Sequence, residues 1–87
     1  MLIGGILLLS AEQIRAGRAL LGWSAQQLAD QVGVSIHTVQ RLETGKVPVG
    51  KAKVQTIEGI KRSLADGGVV FLDDGFGVTL ARKDGME

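Results

Sequence analysis

The stretch from Ala25 to Glu43 constrains the fold most tightly, because it reads as two short helices joined by almost no connecting chain. Ser24 is placed to cap the first, Ala25 to Val32, whose inward face is Leu28, Ala29 and Val32. Ser35 is placed to cap the second, which runs to about Thr44 with Val39 and Leu42 inward. A corner this tight needs a small residue at the helix contact, and Ala29 supplies it. It also needs a glycine that accepts the left-handed backbone at the turn, Gly33, and apolar filling for the wedge, which Leu28, Val32, Val34, Val39 and Leu42 provide.

Helical spacing continues on both sides of the corner. Upstream, Ser10 is a candidate cap for a helix in which Ile14, Gly17, Arg18 and Leu21 share one stripe before Gly22 ends it. Downstream, Gly45 closes the third helix, and the loop Lys46-Val47-Pro48-Val49-Gly50 leads into a longer one, about Lys51 to Asp66. There Val54, Ile57, Ile60 and Leu64 recur at three- and four-residue intervals until Gly67 and Gly68 stop it. Two β-rich runs, Val69 to Leu72 and Gly77 to Arg82, flank Asp73-Asp74-Gly75-Phe76 and predict a hairpin whose loop exceeds the tight two-residue turn. At the other end, Met1 to Leu9 is almost wholly apolar but is about half the length of a spanning helix. No basic residue precedes it as a signal peptide requires, so it fits a short buried β-strand, weakened by Gly4 and Gly5. The expectation is a single domain over 1–87, with a helical core at 11–66 and β-forming ends at 1–9 and 67–87.

Composition then removes whole classes of function. With no Cys and one His there are no thiolate zinc sites, no cysteine nucleophile and no histidine-based metal site. No paired carboxylates fall in a plausible cleft and no glycine-rich phosphate loop follows a strand, so neither an enzyme nor a cofactor is expected. Trp23, Phe71 and Phe76 are too few aromatics for a platform that stacks single-stranded bases. The net charge of +1 hides an asymmetry. Residues 1–66 carry eight Lys and Arg against five Asp and Glu, while residues 67–87 carry two against four, so the helical part is the one suited to an anionic partner.

With Val39 and Leu42 inward, the opposite side of the third helix holds His37, Gln40, Arg41 and Thr44, with Ile36 at the edge. Arg41 has the fork that meets a guanine edge or a phosphate, and Gln40 the amide that meets an adenine edge; a solvated arginine and a bland exposed glutamine are the competing readings. Ile36 suits a thymine methyl or the core margin, His37 lacks the second ligand that metal binding needs, and Ser35 is first a cap and then a phosphate contact. Thr38 belongs to the same candidate surface. Lys46, Lys51 and Lys53 form a second group: cations at a helix start oppose its dipole, which an anion lying nearby would explain better than an ordinary charged loop.

The corner, together with Ile14-Arg15-Ala16-Gly17-Arg18-Ala19-Leu20-Leu21-Gly22-Trp23-Ser24, resembles the XRE family of helix-turn-helix regulators, the group of lambda repressor and Cro, over residues 11–66. The resemblance implies a mainly α, four- to five-helix lambda-repressor-like DNA-binding domain, here with a C-terminal β-hairpin and a short N-terminal β-strand. It also implies a cytoplasmic bacterial regulator, more readily a repressor, that reads double-stranded DNA as a homodimer at half-sites about 34 Å apart. The hairpin, the apolar N-terminal run, or both would make the dimer contact. The alternative is the antitoxin of a toxin-antitoxin pair, binding DNA and a toxin protein. The family often places a base-contacting side chain near the start of the recognition helix, where His37 stands. It commonly carries a phosphate-binding Gln directly after the cap of the second helix; here Ala25 stands there, leaving Ser24, Gln26 and the helix's amides for that role. Finally, Arg18 falls in an apolar stripe and Glu43 toward the inner side of the third helix, each a costly buried charge alone. Like the family's internal arginine and glutamate, they are expected to pair.

Overall fold

The computed structural model describes residues 9–72 and 77–81. It contains helices α1 (Ala11–Leu21), α2 (Ala25–Val32) and α3 (Ile36–Glu43), a 3-10 turn over Val49–Lys51, helix α4 (Val54–Asp66) and strands β1 (Val69–Phe71) and β2 (Val78–Leu80). This is the mainly helical fold with a C-terminal antiparallel pair that the spacing predicts.

The first three helices begin on serine for a local reason. The Ser10, Ser24 and Ser35 side chains accept from the backbone N–H three residues on, satisfying one of the donors that a helix start leaves unpaired. At Ser10 and Ser24 the glutamine at that third position, Gln13 or Gln27, bonds back to the cap's own N–H, closing a reciprocal box. Gly33, at φ 89°, turns the chain out of α2 and donates to the Ala29 carbonyl, so α3 starts only three residues later.

The core gathers one stripe from each helix. Ile14, Leu28, Ala29, Val39, Ile60 and Leu64 have no exposed surface, and Leu9, Leu42 and Val69 nearly none. Burying one large aliphatic side chain contributes about 1.5–3 kcal/mol, so this cluster sets how the helices cross. Gly17 is part of it for want of a side chain: a Cβ there would lie 3.2 Å from Leu64 Cδ1 and 3.4 Å from Val69 Cγ1, where α1, α4 and the hairpin converge.

Two expectations change. The fourth helix begins at Val54, not Lys51, because Lys51 and Ala52 donate to the Pro48 and Val49 carbonyls in the 3-10 turn and Ala52 then turns extended. Val54 consequently occupies the first turn of α4 and is 74% exposed, outside the inward stripe of Ile57, Ile60 and Leu64. The strands are also shorter than the β-rich runs, with Val69 opposite Leu80, Val70 opposite Thr79 and Phe71 opposite Val78. Residues 1–8, 73–76 and 82–87 lie outside the described part, and with them most of the expected N-terminal strand, the hairpin loop and Arg82; Leu9 is buried without strand pairing.

The hairpin is tied to the helices by a residue with no apolar signature. Gln13 is 1% exposed, and its Nε2 donates to the carbonyls of Leu72 (3.3 Å) and Gly77 (3.1 Å), where the two arms part. Its Oε1 accepts from the Ser10 N–H at 3.2 Å, so every polar atom of a buried amide is occupied.

Candidate nucleic-acid interface

Around α3 the candidate residues divide by burial. Val39, Leu42 and Glu43 face inward, whereas His37, Gln40, Arg41 and Thr44 are all exposed. Ile36 is half-buried and packs against the core, which favours the structural reading of that side chain. Ser35 accepts from the Thr38 N–H at 3.3 Å, and its hydroxyl lies 3.2 Å from Thr38 Oγ1, so both hydroxyls serve the helix start. At the other end Thr44 is exposed, and its Oγ1 donates to the Gln40 carbonyl at 2.9 Å.

The helix is held by a charge pair. Arg18 Nε donates to Glu43 Oε2 at 2.8 Å and Arg18 Nη2 to Glu43 Oε1 at 2.9 Å, the two-pronged geometry that suits guanidinium and carboxylate. A third donor, Nη1, reaches the Trp23 carbonyl at 3.1 Å, in the turn between α1 and α2. The side chains retain 24% and 7% exposure, so water screens the pair little. Hydrogen bonding to Glu43 raises the Arg18 pKa above its ordinary value; burial opposes this and the attraction of the carboxylate adds to it. Arg15, one turn earlier on α1, donates through Nη1 to the backbone carbonyl of the same Glu43.

Beside α3 the chain forms a groove of about 320 Å³ lined by Val34, Thr38, Arg41, Leu42, Val47, Lys51, Ala52, Lys53 and Thr56. It brings together Thr38, Arg41, Lys51 and Lys53, drawn from three segments. Lys53 is the N-cap of α4 and makes no side-chain cap bond, unlike the three serines. Lys46 is exposed in the turn after α3 and does not line the groove. Ser24 and Gln26, at the start of α2, are exposed but lie outside it, and Gln26 Nε2 donates to Asp30 Oδ1 on its own helix at 2.8 Å.

Sequence reasoning overlooks Thr56 and Arg15. Thr56 lines the groove because the 3-10 turn brings the first turn of α4, rather than the whole helix, to the side of α3, and Arg15 carries no sign of its backbone partner. Gln13 was legible in part, since Ser10 and Gln13 have the spacing of a capping box. Among the described residues no helix is long and apolar enough to cross a membrane, and no group of three His, Asp or Glu side chains is placed to hold a metal ion.

No curated protein matches the chain. A family model described as a helix-turn-helix domain matches residues 11–83, from the first residue of α1 to beyond β2. Its span takes in the crossed α2–α3 pair, the exposed face of α3 and the hairpin together. The chain therefore belongs to the helix-turn-helix domain family, whose members bind DNA.

Proposed function

We propose that the chain is a sequence-specific regulator of the XRE type that lays α3 in the major groove of duplex DNA. The observation that carries this is the two-sidedness of α3: its inner side is buried, and its outer side offers polar or cationic groups bonded at most within their own helix, with a basic groove alongside. Arg41 and Gln40 read base edges, and His37 and Thr44 flank them. Lys51, Lys53 and Lys46 hold the adjoining phosphate strand, while Ser35 and Thr38 reach it from the start of α3. Ser24 and Gln26 meet a phosphate at the start of α2, for which Gln26 exchanges its bond to Asp30.

One copy of α3 makes too few base contacts to single out a site in a genome, so two copies act as a homodimer on a two-fold operator, and occupancy represses. The hairpin supports this reading. Val70, Leu72 and Leu80 are each 43% exposed, and among the described residues the two strands pair only with each other, which leaves their outer edges to a second chain. Such a regulator works in the cytoplasm, where it neither needs a cofactor nor performs catalysis.

Selection of sites from random duplex DNA, followed by binding measured over a range of salt, tests the reading. The expected product is a pseudo-palindrome bound with a steep inverse salt dependence. Failure to enrich any sequence overturns the specific-regulator reading. Enrichment of a single half-site by a monomer would instead leave the hairpin face to a second protein, as the antitoxin reading requires.

A further inference from the structure

The last four carbonyls of an α-helix have no partner within it, and each needs one from elsewhere. In α3 these belong to Gln40, Arg41, Leu42 and Glu43. The Thr44 N–H and hydroxyl take Gln40, the Val47 N–H takes Arg41 at 3.1 Å, and the Gly45 N–H takes Leu42 at 3.3 Å. Glu43 alone is satisfied from another helix, by the guanidinium of Arg15, three residues before the Arg18 that binds the Glu43 carboxylate. Thus α1 grips a single residue of α3 twice, through its backbone by Arg15 and through its side chain by Arg18. The grip sits where both halves of the candidate interface meet: Arg41 and Thr44 occupy the final turn, and the chain leaving it forms the groove wall through Val47 to Lys51 and Lys53.

We propose that Arg15, which is exposed and lies outside the groove, is a positioning residue for DNA reading. It closes the C-terminal turn of α3 and thereby fixes where Arg41 and the following lysines point. A cation at this end also complements the negative pole of the helix. The inference rests on the regulator reading above for its consequence in binding, but not for its consequence in the free protein.

Two variants separate positioning from direct contact. Arg15→Met keeps the length of the side chain and removes its donors, and Arg15→Lys keeps a charge and a donor. In the free protein, Arg15→Met is expected to speed hydrogen exchange about tenfold at the Thr44, Gly45 and Val47 amides and to leave Val39 unchanged. On DNA, its preference for a duplex selected with the parent chain over a mixed-sequence duplex of equal length should fall about fivefold, with the salt slope unchanged and partial recovery in Arg15→Lys. Unaltered exchange at the three amides overturns the proposal. So does a salt slope lower by about one with the preference intact, since Arg15 would then be a phosphate ligand. If the parent chain prefers no duplex, the regulator reading fails, and the exchange measurement alone still decides whether Arg15 holds the end of α3.

Discussion

On its inner side α3 presents Val39, Leu42 and Glu43, the last bonded to arginines from α1; on its outer side stand His37, Gln40, Arg41 and Thr44, with little bonded to them beyond their own helix. The eight residues of α3 and its C-cap Thr44 therefore carry two separable duties. Contacts on the inner side are desolvated and irreplaceable, so they govern whether the helix is held. Those on the outer side are made with water and can be exchanged for contacts with a ligand at little cost to the fold.

The sharpest way to break this contrast is Arg18→Met, which leaves the Glu43 carboxylate buried without its cation. Stability should fall by about 3 kcal/mol, lowering the melting temperature by roughly 12 °C or more at this chain length. A variant that melts with the parent would show that the inner side is not held by charge. The sign of any pH effect follows from the raised Arg18 pKa: its contribution is fully present below the unfolded value and fades only as pH rises through the folded one, in strongly alkaline solution. Between about pH 6 and pH 10 Arg18 should thus add no pH dependence to melting.

Arg41→Ala probes the outer side. Its melting temperature should stay within a few degrees of the parent's, since exposed substitutions usually change stability by no more than about 0.5 kcal/mol. Discrimination at one base position per half-site should relax by about 1–3 kcal/mol, read from binding to single-base variants of the selected duplex. A large fall in melting temperature with discrimination retained would erase the division between the two sides.

The smallest effect, and the one with opposed signs, is expected of Lys53→Ser. A serine at that N-cap can accept from the open amides of α4, raising stability by about 1 kcal/mol in thermal melts. Loss of the lysine should at the same time lower the salt slope of DNA binding by about one. If stability and affinity rise together, Lys53 has no part in the interface.

The starts of α1, α2 and α3 were legible because a serine cap is a local device, complete within four residues. The start of α4 was not, because Lys53 bears no capping signature and the 3-10 turn before it depends on Pro48 and Val49. Likewise Arg18 betrayed its role by being a charge in an apolar stripe, and its partner followed from the inner position of Glu43 together with the family likeness. Arg15 gave no such sign, since its partner is a backbone carbonyl that any residue at position 43 would supply. The groove was half visible, in Lys51 and Lys53. Its other wall required knowing that the chain after α3 doubles back.

The amide of Gln13 finds its partners 59 and 64 residues further along the chain. During synthesis, α1 therefore emerges long before the groups that complete it. Until residue 77 is available, Gln13 must remain hydrated or be buried unpaired at a cost of about 1–3 kcal/mol. Closing the helices over the first turn of α1 is therefore more favourable once the hairpin is in place, which couples the start of the helical unit to the strands at its other end.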